Sequence, residues 1–598
     1  MQNQRNIILA VVLTGLLLLG WESAMRWFYP QAGKRPAAVA TAPADPANPA
    51  KPSREGGLLN PADVALEKKD LRAELAAGHR VVIDAPGLKG SINLKGALLD
   101  DVSMARHRET VDRASAPVRL FSPAGTPAQH FAQIGWVGEG VAAPDAKTTW
   151  TAEGAKLTPQ TPVTLRWSNT TGQTYSIRYA IDADYMITTT QSVANASTAP
   201  VVVRPFALVN RTEKTSSIDT WQLHSGPIGA FDGSVNFENN YSTVSEAPGA
   251  AIPLKGLANW IGFTDIYWMS GLIPDANAKA ESAFRALGNG IFRADLIYPS
   301  VSVAPGKVQS QNVRIFAGAK ENAVLEKYEA AGVTNFSYSI DWGWFSWFEK
   351  PIFWLLDSIF NKVGNFGLAI ILLTLVVRGV MFPIAQRQFA SMAAMRALQP
   401  KMKALQERYK DDKQTQQQKI MELYKEEKVN PLAGCLPIFL QIPVFFALYK
   451  VLTLTIEMRH QPFVLWIKDL SAPDPAHVLN LFGLLPFDPP SFLAIGILAI
   501  LLGITMWLQF KLQPVAMDPA QQQIFAFMPW IMMFVMAPFA AGLLLYWITS
   551  NLLTIAQQKY LYSKHPQLKA QVDKDQTDVT RAVTREQKAA STRKPKTP

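Results

Sequence analysis

The chain has 598 residues, of which 48% are hydrophobic and 18% charged, with one cysteine, seven histidines and a formal net charge of +11. That length exceeds what a single core organises, so two or more domains are expected. Cys435 alone permits no intrachain disulfide, and so few sulfur and imidazole ligands argue against a zinc or iron–sulfur centre. A mean hydropathy of +0.05 is high for a purely soluble enzyme, yet the charge content is too great for a chain that is all membrane, so the apolar residues must be segregated.

The first element is an apolar run from Ile7 to Gly20, preceded by Arg5 and closed by Trp21 and Glu22. Its length suits a signal-peptide core or a short anchor extended through Met25 to Phe28. Small-residue sites at Ala38-Val39-Ala40 and Ala42-Pro43-Ala44 lie beyond Arg26, Lys34 and Arg35, a poor position for cleavage. An uncleaved membrane anchor over 1–29 is therefore the expectation, and either outcome exports the adjoining C-terminal segment. Residues 30–57, rich in Pro and Ala, read as an extended linker.

From 58 to 325 the pattern is that of a β domain. Val163-Thr164-Leu165-Arg166-Trp167 and Tyr175 to Ile181 alternate apolar and polar residues. Further strand-like runs are Arg80 to Ile83, Ala132 to Val137, Val201 to Val209 and Ile291 to Val303. Turn residues punctuate them at Ala85-Pro86-Gly87, Ser168-Asn169 and Ala304-Pro305-Gly306. Many strands without intervening amphipathic helices predict an antiparallel, all-β sandwich.

After about residue 340 the chain is membrane-like. The aromatic cluster Asp341 to Lys350, with Trp342, Trp344, Phe345, Trp347 and Phe348, precedes a hydrophobic segment. That placement favours an interfacial amphipathic helix over 340–358, against the alternative of core aromatics of the β domain. Candidate spans lie at 360–382, 432–455 and 491–510. The apolar block from Ile524 to about Ala556 is too long for one span and is broken around Pro538 and Gly542, so it reads as two. With the anchor this makes six spans, five of them forming a helical core over 359–562. The segment 384–428 reads as a helical hairpin, with Met392, Met395, Leu398, Met402, Leu405 and Tyr409 on one stripe and Ile420, Leu423 and Tyr424 on the other. Its turn is at Lys410-Asp411-Asp412-Lys413. Such Met-rich stripes pack two helices together; they also suit a surface that meets many hydrophobic sequences.

Basic residues from Arg387 to Lys428, and again in the tail 563–598, assign both segments to the cytoplasm; the loop from Glu457 to Pro490 carries only Arg459 and Lys468. Counting spans back places the β domain outside and the N-terminus inside. The same charge distribution attributes the basicity to topology and anionic lipid, with no specific nucleic-acid site, although the tail also suits a ribosome surface.

Arg378 lies in an otherwise apolar span, where a guanidinium at the helix centre costs roughly 2.5–3.5 kcal/mol on insertion scales. It faces a partner or aqueous cavity, or it snorkels past Pro383 toward the basic loop. Thr374 shares its face one turn earlier. The last span carries Tyr546, Ser550, Thr554 and Gln557 at helical spacing, with Asn551 and Gln558 beside them. The fourth carries Thr505 and Gln509, and the third Gln441 between Pro437 and Pro443. Each alone suits an interhelical hydrogen bond. Together they suit a hydrated groove that stops short of crossing the membrane. No P-loop, H-E-x-x-H or G-x-S-x-G motif occurs, and no acidic pair lies within an apolar span, so covalent chemistry and a cofactor are not expected.

Several stretches in order resemble the YidC/Oxa family of membrane protein insertases. They are Val377-Arg378-Gly379 with Phe382-Pro383, Met395-Arg396 with Leu398-Gln399-Pro400, Lys428 to Leu432, and Gly434-Cys435-Leu436-Pro437. Gln441-Ile442-Pro443, Leu465 to Leu470, Met528-Pro529 and Ser550-Asn551-Leu552 complete the set. The anchor plus a large β domain is similar to the Gram-negative form of that family. The resemblance implies a hydrophilic groove, open to cytoplasm and lipid and closed outward, in which Arg378 attracts acidic or polar residues of a translocated segment. Thr374, Tyr546 and Trp547 would line the substrate path; Trp547 stands where better-known members carry tyrosine. Nascent membrane proteins are the implied substrates. The Sec translocon, the ribosome and targeting factors are implied partners through the hairpin and tail. Two rival readings are a secondary transporter using Arg378, and an envelope-assembly chaperone whose spans merely anchor its β domain.

Overall fold

The computed structural model describes residues 70–217, 223–276, 278–409, 412–427, 436–482, 485, 494–512 and 519–564. The expected N-terminal anchor, the linker and the basic tail lie outside these residues. The chain divides into two compact units, Met1–Trp344 with Leu454–Glu457, and Phe345–Thr453 with Met458–Pro598.

The first unit is a two-sheet β-sandwich, with eleven strands in one sheet and nine in the other. In the nine-stranded sheet, Met186–Asn195 lies antiparallel between Gln173–Ile181 and Val308–Ala319, with Gln191 opposite Ile177 on one side and Gln311 on the other. In the eleven-stranded sheet, Val201–Thr212 lies between His130–Glu139 and Ile291–Ile297, with Pro205 opposite Trp136. The alternating segments form strands because one face of each meets the other sheet: Tyr175, Ile177 and Tyr179 are buried while Arg178 is exposed. Large aromatic residues fill the interior, including Trp260, Trp268, Phe263 and Phe316.

Two details differ from the sequence reading. The run expected from Ile291 to Val303 is two strands, Ile291–Ile297 and Val301–Val303, because Pro299 has no amide proton for the ladder. The sandwich also contains a parallel pair, in which Val82 and Ile83 run alongside Lys156 and Leu157.

A short helix, α1 (Asn322–Ala330), closes this unit. Asp184 accepts hydrogen bonds from Arg106 (2.7 Å) and Lys327 (2.6 Å), and Tyr328 donates to Asp182 (2.7 Å), so α1 is fastened to the loop before Met186–Asn195. Burial pushes the Asp184 carboxyl up, but its two cationic partners outweigh that and hold it below the usual range. The α1 N-terminus is completed by Glu457, which accepts from the Asn322 backbone N–H (2.8 Å) and side-chain amide (3.3 and 3.4 Å). Burial pushes the Glu457 carboxyl up to about 7, against those hydrogen bonds.

The second unit is helical. α2 (Ser346–Val363) ends at Gly364, whose φ of 69° is the left-handed conformation that glycine adopts without strain. Phe360 and Phe366 stack across that break, 3.6 Å between centroids. The helix expected over 340–358 thus begins later and runs further. Trp347 and Trp354 project outward, each 70% exposed, while Trp342, from the same aromatic cluster, is buried.

α3 (Phe366–Ala397) continues without interruption through Pro383. The sequence reading placed a span end at 382 and a separate hairpin arm from 384. Proline has no amide proton to donate and crowds the carbonyl four residues earlier, here that of Gly379, yet the helix runs on past it for a further 14 residues, to Ala397. The hairpin is completed by α4 (Gln399–Arg408) and α5 (Lys413–Glu426). Asp412 caps α5 by accepting from the Gln414 and Thr415 amides. Tyr424 donates to the Met402 sulfur (3.2 Å), joining the two stripes.

The remaining helices are α6 (Leu436–Leu454), α7 (Ile497–Leu512), α8 (Pro519–Met536) and α9 (Ala541–Lys564). Among the described residues one stretch, Phe366–Gln386, is long and apolar enough to cross a membrane by length and composition; Gln441–Leu454, Ile497–Leu512 and Ala526–Met536 are shorter apolar helices.

Candidate functional site

The residues singled out from the sequence lie on α3, α6, α7 and α9, with α9 at the centre. Ser550 and Tyr546 are one turn apart on α9 and so share a face. Arg378 reaches that face from α3: its Nε donates to Ser550 Oγ at 3.1 Å, and its Nη2 donates to the same oxygen. One turn away, Gln441 of α6 donates its side-chain amide to Tyr546 Oη. Arg378, Ser550, Tyr546 and Gln441 therefore form one track joining three helices.

Arg378 is charged and half-buried, yet among the described residues no carboxylate pairs with it and its side chain bonds only to the neutral Ser550. A hydroxyl offers one acceptor oxygen to a fork of five N–H donors. The cation is oriented but not neutralised.

Asn551, next to Ser550 but about 100° around the helix, belongs to a different contact. Its side-chain amide donates to Thr505 Oγ1 of α7 at 3.2 Å, and Thr505 in turn donates to the Leu502 carbonyl at 3.0 Å. One turn beyond Thr505, Gln509 Oε1 is buried without a protein partner, as is Gln558 Oε1, two turns beyond Asn551 on the same face of α9. This second track runs along the α7–α9 seam. Seven of the nine expected residues thus divide between two faces of α9.

The other two play different parts. Thr374 is buried, at 1% exposure, and its hydroxyl donates its proton to the Ile370 carbonyl at 2.6 Å within its own helix. Trp547 packs edge-on against Phe445 of α6, 5.2 Å between centroids, as a wall. Spacing along α9 could group Tyr546 with Ser550; it could not show that Asn551 turns to a different neighbour.

Two family models cover nearly all of the described chain: "60Kd inner membrane protein" matches residues 358–569, and "YidC periplasmic domain" matches residues 80–355. Among relatives, the "Membrane protein insertase YidC" of Zymomonas mobilis subsp. mobilis is 45% identical, covering 94% of this chain and 96% of its own. Those of Nitrobacter hamburgensis (44%) and Bradyrhizobium diazoefficiens (42%) each cover 94% of this chain, and 96% and 97% of their own. A solved structure described as "Active YidC insertase crystal structure with the first transmembrane domain resolved" is 19% identical with a TM-score of 0.35, covering 82% of this chain and 97% of that one. Sequence identity of 45% sustained over 94% of the chain means that it belongs to the YidC family of membrane protein insertases, as an inner-membrane protein with a periplasmic β-sandwich domain.

Proposed function

We propose that this insertase lowers the barrier for the polar flank of a substrate span by lending it the Arg378 track. The observation that carries the proposal is the guanidinium held by Ser550, with Tyr546 and Gln441 one turn away and no acid among the described residues to neutralise it. A substrate carboxylate entering that track supplies the missing counter-charge. At an effective dielectric near 20, two unit charges 4 Å apart attract by about 4 kcal/mol.

The energetics need no nucleotide. A span of about 20 residues, each gaining a few tenths of a kcal/mol at the membrane centre, is stabilised by several kcal/mol on insertion. A negative charge carried outward gains about 2.3 kcal/mol per 100 mV of membrane potential. What remains is the barrier of moving a short polar tail through hydrocarbon. Arg378 acts on that barrier and adds no net driving force, because the substrate leaves it.

The finer reading rests on the sequence. Six spans place both termini and the α4–α5 hairpin in the cytoplasm, the groove opens inward and to lipid, and nascent chains arrive alone or through the Sec translocon, with ribosome or targeting factors meeting the hairpin and basic tail. The basic flanks of the spans support this orientation.

The decisive measurement is insertion of a substrate with an acidic translocated tail by Arg378→Ala and Arg378→Lys variants. The alanine variant is expected to insert about tenfold more slowly and the lysine variant within about threefold of the parent; equal, undiminished insertion by both removes the charge role. Deleting residues 58–320 separates this reading from an anchored chaperone, since a helical core that inserts on its own keeps substantial insertion.

A further inference from the structure

The loop that joins α6 to α7 is built inside out. Between Gln461 and Phe482 its polar groups turn inward: Asp474 is 1% exposed, Asn480 is buried, and Asp469 accepts from the Ser471 backbone N–H (2.8 Å) and hydroxyl (2.7 Å). Its large apolar side chains turn outward. Leu465 is 84% exposed, and Val464, Val478, Leu479, Leu481 and Phe482 are exposed as well. Lys468 is the exposed charge of this stretch. Single exposed hydrophobic residues are ordinary on a surface that meets water. So many on one loop, over a buried carboxylate, form a surface that water disfavours and hydrocarbon favours.

Two turns carry these side chains. In the first, the Ile467 N–H donates to the Val464 carbonyl (3.2 Å) and the Phe463 N–H to the Ile467 carbonyl (3.0 Å), which leaves Leu465 at the tip with a φ of 57°. In the second, the Leu481 N–H donates to the Val478 carbonyl (3.1 Å) and the Phe482 N–H to the His477 carbonyl (2.7 Å), with φ of 50° at Leu481 and 63° at Phe482. These are left-handed positions, where glycine or asparagine sits with least strain. Both tips carry large apolar residues instead.

Both turns are fastened to the start of α7. Asp474 accepts from the Trp466 indole N–H (2.9 Å), the Ala476 N–H (3.0 Å) and the N–H of Leu498 in the first turn of α7 (2.8 Å). The Val478 N–H donates to the Ile495 carbonyl at 3.1 Å. The apolar surface continues along α7, where Leu501, Ile504 and Leu508 are exposed at helical spacing. With 16 residues, α7 is about 24 Å long against a hydrocarbon core near 30 Å. An apolar loop at its start lengthens the surface that hydrocarbon can cover.

We propose that the tips at Leu465 and at Leu481 and Phe482 insert among the lipid acyl chains of the leaflet where α6 ends and α7 begins, with Lys468 reaching back to the headgroup phosphates. The inference rests on α6 and α7 being membrane spans, which bring both ends of the loop to one membrane surface. It is independent of Arg378.

The test uses the full-length protein in phosphatidylcholine nanodiscs. Cys435→Ser removes the one cysteine of the chain, and Leu465→Cys, Phe482→Cys, Ile504→Cys and Lys425→Cys then each carry an environment-sensitive NBD fluorophore. Ile504, halfway along α7, calibrates the span, and the exposed Lys425 calibrates water. Labels at Leu465 and Phe482 are expected to be quenched at least threefold more than the Lys425 label by lipid bearing a nitroxide high on its acyl chain. Iodide in the buffer should quench them at least fivefold less. Leu465→Asn with Phe482→Asn suits the left-handed turns and keeps the fold, yet a label at Leu479 is expected to become at least twofold more open to iodide. Labels at both tips that iodide quenches as it does Lys425, labels that neither quencher reaches because protein covers them, or a Leu479 label unmoved in the asparagine pair each overturn the proposal. A label at Ile504 that lipid nitroxide fails to quench overturns the span reading with it, whereas quenching at Ile504 without quenching at the tips overturns the loop insertion alone.

Discussion

The β-sandwich and the helical unit handle polar groups in opposite ways. In the sandwich, charges are paired: Arg211 with Asp265 at 2.5 Å, Arg285 with Asp295 at 2.6 Å, and Arg106 and Lys327 with Asp184. Around α9 in the helical unit, the interior polar groups are hydroxyls and carboxamides, and the cation among them meets only a hydroxyl. Paired charges fix a fold and leave little for a passing ligand. Neutral polar groups beside an unbalanced cation keep interaction energy available for one. The contrast teaches where to look for stability and where for traffic.

Substitutions can break that contrast, starting with the largest effect. Trp260 is fully buried in the sandwich, edge-on to Phe336 at 5.6 Å, and donates to the Thr334 carbonyl at 3.0 Å. Trp260→Ala is expected to cost ~3–5 kcal/mol, read as a lowered unfolding transition of the sandwich unit. If the sandwich is the structural unit, insertion at permissive temperature should change far less than stability does.

Glu457 comes next, because its carboxyl is raised to about 7 from an ordinary value of 4.5. Between those pH values the folded state holds a proton that the unfolded state has lost, so stability falls as pH rises through the window. Glu457→Gln imitates the protonated form. Its melting temperature should match the parent near pH 4.5 and exceed it at pH 8, by as much as ~3 kcal/mol of stability. A parent whose melting temperature does not fall between pH 5 and 8 contradicts this.

Arg378→Ala is expected to cost about 1.4 kcal/mol, as the tenfold loss of insertion rate for an acidic-tailed substrate. A neutral-tailed substrate should lose less, which sharpens the charge argument against simple loss of packing. The smallest effect belongs to the α7–α9 seam. Asn551→Ala removes one interhelical hydrogen bond, and such bonds average about 0.6 kcal/mol in membranes. A small drop in the thermal stability of the purified protein, with insertion nearly intact, separates the two faces of α9.

Much of the sandwich was readable because alternation in strands such as Tyr175 to Ile181 directly encodes a two-faced sheet. The burial of Gln191 was not readable, because the inward positions of Met186–Asn195 mix Ile187 and Val193 with Thr189, Gln191 and Asn195, so no clean alternation marks it. Arg378 was readable because a charge in an apolar run is costly wherever it points. Its partner was not, because Ser550 lies 172 residues away and only the packing of α3 against α9 brings the two together. The unbroken passage of α3 through Pro383 was missed because a proline signal is local and does not say whether the helix resumes on its far side.

That unbroken helix has a mechanical consequence. With 32 residues at 1.5 Å each, α3 is a rod roughly 48 Å long, carrying Arg378 near its middle and the hairpin at its far end. A tilt of only about 5° about the Phe366 end sweeps the opposite end through roughly 4 Å. Whatever shifts the guanidinium when a substrate arrives or departs is therefore geared, through one lever, to the place where the hairpin begins.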